Sequence, residues 1–333
     1  MKAMLLCDRG PIEGEPLRWS ELEDLVPGPG QALVRVRCCA LCRTDLHVVE
    51  GDLPGQRSPI VPGHQVVGHV EALGPGCARL QPGQRVGVAW LGHACGACPA
   101  CRHGRENLCP EARFTGWHEH GGYAERILVE EAFAFPLPDA FSDLEAAPLL
   151  CAGIVGYRAL ERAQAPPGAR IALMGFGSSA HVVIQLARHR GHEVFVVTRS
   201  PGHRELASAL GAAWVGGKAS DMPGKVAAVI VFAPAGELVP TALEQLEPGG
   251  TVALAGVHMS QVPALDYQRH LFLEKDLRSV TAHTRQDGEG LLREAAAIGL
   301  RPRISTFALR EANRALLELK HNRIDGSGVL LAE

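Results

Sequence analysis

The chain has 333 residues, of which 46% are hydrophobic, 21% charged and 5% aromatic, a balance that excludes disordered and fibrous classes and suggests two domains. Its 33 Lys and Arg against 36 Asp and Glu leave a formal net charge of −3, so no basic field exists to draw in a nucleic-acid backbone. The opening M-K-A-M-L-L-C-D-R-G is too short an apolar run for a signal peptide, and no stretch of about 18 apolar residues follows. These features predict a cytoplasmic protein without membrane or nucleic-acid partners, in which the 10 cysteines serve as metal ligands or buried thiols rather than disulfides.

Up to about Pro138 the sequence is a series of short β-like runs, A-L-V-R-V-R-C, Q-V-V-G-H-V-E-A-L and R-V-G-V-A-W-L, cut by Gly and Pro. After Ser142 the stretch from Asp143 to Arg162 reads as one helix. Strand and helix candidates then alternate to about Val280, with strands in R-I-A-L-M-G, E-V-F-V-V-T, A-W-V-G, A-A-V-I-V-F-A, G-T-V-A-L-A-G and L-R-S-V-T-A. Six such strands predict a doubly wound parallel sheet of the Rossmann type. From about Gly288 two helical stretches precede a short apolar strand, G-V-L-L-A, suited to returning to the first domain. The predicted class is α/β, with residues 151–287 as a dinucleotide-binding domain and residues 1–150 plus 288–333 as a β-rich domain.

Cys95, Cys98, Cys101 and Cys109 occupy an exposed-looking loop, H-A-C-G-A-C-P-A-C-R-H-G-R-E-N-L-C-P. Four thiolates so spaced close a tetrahedral shell around zinc and leave no open position, which marks a structural metal. A zinc-loop binding protein without catalysis would share these cysteines, but not the motifs around them. Cys42 in C-R-T-D-L-H, His64 in V-P-G-H-Q-V-V-G and Cys151 in A-A-P-L-L-C-A-G are each, alone, compatible with plain packing. The ordered set, with the four-cysteine loop between His64 and Cys151 and a Gly-rich turn after it, resembles the zinc-dependent alcohol dehydrogenases of the medium-chain dehydrogenase/reductase family over essentially the whole chain.

That resemblance implies that the β-rich domain is GroES-like and carries two zinc ions. It also implies that Cys42, His64 and Cys151 hold a catalytic zinc whose fourth position takes water or substrate oxygen. Two thiolates and a neutral imidazole cancel the formal charge of the ion while it remains a Lewis acid. Thr44 then stands where the family has a hydroxyl accepting the alcohol proton, and His47 matches the outer relay to solvent. Asp45 fits two roles, orienting the His64 ring or capping a helix that begins near Leu46. Gln65 replaces the Glu that many members carry after the zinc histidine, so an anionic fifth ligand is missing.

In M-G-F-G-S-S-A-H, Gly175 makes the tight turn, Gly177 lets backbone approach a pyrophosphate, and Ala180 takes the packing place of a third glycine. The next strand ends in Thr198, Arg199 and Ser200 without the carboxylate that holds an NAD ribose, which favours NADP(H) over NAD(H). His203 and Arg204 read as the solvated face of the helix that follows. By resemblance, Val257 and His258 run beside the nicotinamide, and the family's C-terminal arginine is replaced by Ser327, with Arg323 a possible substitute. Leu53, Trp90, Trp117 and Ile154 take substrate-pocket positions, an apolar lining suited to hydrophobic primary or secondary alcohols and their aldehydes or ketones. The expected activity is reversible alcohol oxidation with hydride transfer to a nicotinamide. A cinnamyl-alcohol-type or polyol reductase is the alternative on the same scaffold, and a homodimer or homotetramer is the expected assembly.

Overall fold

The computed structural model describes residues 1–332. The chain forms two compact units: the first comprises residues 1–151, 283–296 and 302–333, the second residues 152–282 and 297–301.

In the first unit β1 (Lys2–Leu6) pairs antiparallel with β2 (Leu17–Glu21). β3 (Gln31–Ala40) leads into α1 (Arg43–Glu50), which is followed by β4 (Val66–Leu73), β5 (Arg85–Val88) and β6 (Leu91–His93). The cysteine loop carries the short α2 (Pro99–Arg102). β7 (Arg113–Phe114), β8 (Arg126–Glu130), β9 (Ala134–Pro136) and α3 (Asp143–Ala146) complete this stretch. β3 is the centre of the unit, because it is buried at both ends, with only Arg35 and Arg37 exposed in its middle, while its two edges take antiparallel partners along its length, including β4 and β8.

The stretch from Asp143 to Arg162 is not the single helix expected from its pattern. α3 stops at Ala146, a 3₁₀ turn covers Ala147–Leu150, and Cys151 sits at φ −135°, ψ −66° before α4 (Ala152–Ala163) begins. Pro148 explains the interruption, since it brings no N–H and disfavours helical geometry in the residue before it. The break leaves Cys151 buried outside any helix.

The second unit alternates α4, β10 (Arg170–Met174), α5 (Ser178–His189), β11 (Glu193–Val197), α6 (Pro201–Ala209), β12 (Trp214–Gly216), β13 (Val226–Val231), α7 (Leu238–Glu244), β14 (Leu246–Leu254), α8 (Tyr267–His270) and β15 (Asp276–Ser279). All six expected strands are present in one parallel sheet of order β12-β11-β10-β13-β14-β15, with the reversal between β10 and β13. Ile171, Ala172 and Leu173 of β10 and Ala228, Val229, Ile230 and Val231 of β13 are fully buried, which is why these strands read as continuous apolar runs. The remaining elements are α9 (Arg285–Ala297), β16 (Ile304–Ala308), α10 (Ala312–Lys320) and β17 (Ser327–Leu331). β17 lies beside β3, with Val329 opposite Ala40, and so completes the seven-stranded sheet of the first unit.

His181 in α5 is 1% exposed and neither ring nitrogen has a hydrogen-bond partner. Burial lowers its pKa from 6.5 to about 4, assisted by the charge of His203. The unfolded chain therefore takes up a proton before the native state does, and stability declines as pH falls from 6.5 toward 4. His181→Leu is expected to flatten that decline by about 3 kcal/mol, measured as the difference in urea unfolding between variant and parent at pH 7.5 and pH 4.5.

Candidate metal centres and cofactor turn

α1 begins where β3 ends, and its first turn organises the first centre. Asp45 uses both carboxylate oxygens: Oδ2 accepts the Cys42 backbone N–H at 2.8 Å and Oδ1 accepts from His64 Nδ1 at 2.9 Å. The two roles expected for Asp45 thus coexist in one side chain, and the helix starts at Arg43 rather than near Leu46. Asp45 and His64 are 1% and 0% exposed. A buried carboxylate on one ring nitrogen directs the other, Nε2, away from itself.

His64 Nε2 is buried and has no hydrogen-bond partner. It lies with the Cys42 and Cys151 sulfurs in a group whose donor atoms are all within 4.8 Å of one another. The two sulfurs are 3.9 Å apart, and Thr44 Oγ1 is 3.5 Å from the Cys42 sulfur. The electrostatics call for a cation. Burial alone would depress His64, yet the Asp45 carboxylate and the Cys42 sulfur overcome it and bring its pKa up to about 10. The hydrogen bond between the thiols holds Cys42 well below the usual thiol range and pushes Cys151 well above it, so the protein alone supports one thiolate of the pair. Two sulfurs, one imidazole nitrogen and no competing partner on that nitrogen form a donor set that fits zinc.

Cys95, Cys98, Cys101 and Cys109 converge likewise, with all four sulfurs within 4.8 Å. Backbone N–H groups donate to them, from Cys98 to the Cys95 sulfur at 3.3 Å, from Cys101 to the Cys98 sulfur at 3.5 Å and from Cys95 to the Cys109 sulfur at 3.4 Å. Such N–H···S bonds stabilise thiolates, and a four-sulfur shell fits a closed zinc site. The loop is tied to the start of α9: Arg285 grips both carboxylate oxygens of Glu106 at 2.6–3.0 Å and lies over the Phe133 ring at 4.8 Å.

The segment before His64 is held by the glycine-rich stretch T-G-W-H-E-H-G-G. Gly121 donates to the Val61 carbonyl at 2.7 Å, and a Cβ on it would stand 2.1 Å from the Gly63 oxygen. Trp90, Phe114 and Trp117 form a triangular cluster of rings beside this segment, with centroids 5.2–5.7 Å apart, and Trp90 meets His64 edge-on at 4.7 Å. Leu53 is buried elsewhere in the same unit, and Ile154 is buried in α4 of the second. Phe114 was not apparent as a member of this cluster, because nothing local in the sequence pairs it with Trp90. His47, in the last turn of α1, places Nδ1 2.8 Å from Asp52; Asp52 was also not singled out, and the signal was the G-D pair directly after the helix.

In the second unit Gly175 follows β10 at φ +89°, and a Cβ there would meet the Ala233 nitrogen at 2.8 Å. Gly177 is the N-cap of α5, with open space where a Cβ would stand, and Ala180 is fully buried. An open cradle at a helix N-terminus, at the carboxyl end of the strand where the sheet order reverses, fits a dinucleotide phosphate. Thr198 is buried and Arg199 exposed at the end of β11, while Ser200 caps α6 by accepting the His203 N–H. Val257 and His258 are exposed after β14. Ser327 is buried in β17, and Arg323 pairs with Glu318 at 3.3 Å.

Residues 28–139 match the alcohol dehydrogenase GroES-like domain, and residues 180–297 the zinc-binding dehydrogenase domain. A probable alcohol dehydrogenase of Mycobacterium tuberculosis is 48% identical over 99% of this chain and 97% of its own length. The chain belongs to the zinc-dependent alcohol dehydrogenases of the medium-chain dehydrogenase/reductase family. Among solved structures, a cinnamyl alcohol dehydrogenase of Sorghum bicolor aligns with a TM-score of 0.90 at 26% identity, covering 99% of this chain and 96% of its own. A cobalt- and zinc-bound thermostable alcohol dehydrogenase of Pyrobaculum aerophilum aligns with a TM-score of 0.91 at 26% identity, covering 99% of both chains. Among the described residues no helix is long and apolar enough to cross a membrane.

Glu106→Ala is expected to leave Arg285 unpaired over Phe133 and to cost about 1–3 kcal/mol. Thermal unfolding measures the loss, and limited proteolysis should then cut within residues 95–110 before it cuts elsewhere.

Proposed function

We propose that this dehydrogenase oxidises hydrophobic, preferentially aryl, primary alcohols and reduces the matching aldehydes, using two zinc ions and NADP(H). The observation that carries the reading is the buried, unpartnered Nε2 of His64 beside the sulfurs of Cys42 and Cys151. Zinc held by these three residues supplies a Lewis acid that lowers the pKa of a hydroxyl brought to it, and the nicotinamide cofactor supplies the hydride acceptor or donor. Asp45 keeps His64 in the tautomer that presents Nε2. Thr44 offers its hydroxyl beside Cys42 as the first acceptor of the alcohol proton, and His47 takes that proton outward. Gln65 brings no negative charge, so the ligand set stays at three protein groups. Cys95, Cys98, Cys101 and Cys109 hold the second, structural zinc.

In this reading the first unit is catalytic and the second binds the dinucleotide. Its phosphates lie against Gly175, Gly177 and Ala180, its nicotinamide runs by Val257 and His258, and Thr198, Arg199 and Ser200 receive the 2′-phosphate. The exposed Arg199 and the lack of a carboxylate at the end of β11 support NADP(H). The aromatic cluster beside His64 supports an aryl or other apolar substrate over a polyol, which puts the cinnamyl-alcohol-type reading ahead of the polyol one; Leu53 and Ile154 remain the further apolar pocket residues of this reading. Exposed Tyr267, Phe272, Leu273 and Leu277 around the edge strand β15 support a homo-oligomer, and ten free cysteines support a reducing, cytoplasmic setting.

Metal analysis should return two zinc ions per chain. Cys151→Ser should remove one of them and lower kcat at least a hundredfold with the circular dichroism spectrum unchanged, whereas full turnover in that variant rejects the assigned ligand set. For the cofactor, Arg199→Ala should lower kcat/KM for NADPH about tenfold while leaving that for NADH within twofold; an unchanged ratio removes Arg199 from the 2′-phosphate site.

A further inference from the structure

The Asp–carboxylate pairing that orients His64 occurs a second time on α1. The helix ends at Gly51, whose φ of +87° turns the chain back over its last turn. The reversal directs two groups of Asp52 at one residue: its backbone N–H donates to the His47 carbonyl at 2.9 Å, and its carboxylate Oδ2 lies 2.8 Å from His47 Nδ1. The Gly51 N–H donates to the same carbonyl at 3.0 Å. The imidazole is therefore fixed in direction from its own helix end.

An ion pair with side chains 20% and 44% exposed adds little to stability. Its chemical effect is larger. A carboxylate accepting from Nδ1 selects the tautomer with the proton on that nitrogen, which leaves the lone pair on Nε2. These are the requirements for an imidazole that accepts a proton and passes it on. At His64 the same pairing presents Nε2 to a metal; at His47 it presents Nε2 to a proton.

We propose that Asp52 is the positioning residue of the proton path, setting the tautomer and direction of His47. The proposal rests on the reading of His47 as proton acceptor given above. The step balances simply: the alcohol proton ends on His47 Nε2, the Nδ1 proton remains in its hydrogen bond to Asp52, and no electrons move in this part of the reaction.

The test uses the zinc-loaded full chain with histidine-selective nitrogen-15 labelling, the His47 signals being assigned by their loss in His47→Gln. In the parent protein the neutral His47 ring should carry its proton on Nδ1. Asp52→Ala should convert it to a mixture or to the Nε2–H form, whereas Asp52→Asn, whose amide oxygen still accepts from Nδ1, should retain it. In steady-state alcohol oxidation Asp52→Ala should lower kcat about tenfold with KM for the dinucleotide within twofold, and Asp52→Asn should fall in between. Added to His47→Gln, Asp52→Ala should bring no further loss. An unchanged tautomer in Asp52→Ala, or a loss in the double variant equal to the product of the single ones, overturns the proposal. If His47→Gln itself turns over normally, the proton-acceptor reading fails and Asp52 falls with it. If His47→Gln is impaired and Asp52→Ala is not, the reading stands and only Asp52 is removed.

Discussion

One carboxylate organises the first unit. Asp45 is buried with a negative charge that its surroundings must answer, and it does so by taking the Cys42 N–H with one oxygen and the His64 ring with the other. The first bond fixes where α1 starts and so where the Cys42 sulfur points; the second fixes which His64 nitrogen faces that sulfur. A carboxylate buried behind a histidine and two cysteine sulfurs that cluster on one side is costly without compensating positive charge. The Asp45 carboxylate and the Cys42 sulfur raise His64 to about 10, so the surroundings favour positive charge at this point. A divalent cation answers the same demand and lets both sulfurs ionise. The donor set and the local fold are consequently two expressions of the same electrostatic arrangement.

Close backbone approach is the second constraint. Gly63, one residue before the histidine, lies against Gly116 and Gly121, and Gly122 donates to its carbonyl at 2.9 Å. With no side chains between them these backbones approach closely, and Trp90, Phe114 and Trp117 pack beside them. His64 is therefore held by steric exclusion in the glycine segment before it, by the Asp45 hydrogen bond and by the Trp90 ring edge. Precision of this kind is what a three-ligand centre needs to keep an open coordination position.

Much of this was legible in the sequence because the relevant signals are local or strongly periodic. The four-cysteine loop announces itself by spacing, and the six parallel strands by apolar runs that only a sheet buried on both faces tolerates. The helix expected from Asp143 to Arg162 failed because amphipathic periodicity continued across Pro148 while the backbone did not, and Cys151 gains its orientation from that interruption. Asp45 illustrates an ambiguity that sequence reasoning framed as a choice: a cap and a ring-orienting group need different oxygens of one carboxylate, so both hold. The Asp52 contact depends on a left-handed turn at Gly51, and the aromatic cluster on three residues brought together by tertiary packing. Neither leaves a periodic trace.

The pairing of β17 with β3 has a consequence for how the molecule is made. Val329 must meet Ala40 to complete the first sheet, so that sheet waits for nearly the whole chain to emerge from the ribosome. The second unit, most of it contiguous between residues 152 and 282, has its six strands in hand well before then. In chain order the six strands of the second unit therefore precede the strand that completes the first sheet, and β3 has an unpaired edge at Cys38–Ala40 until β17 is in place. Loss of β17 would expose the β3 edge at Cys38–Ala40 to pairing with other chains, a hazard that falls on the first unit alone.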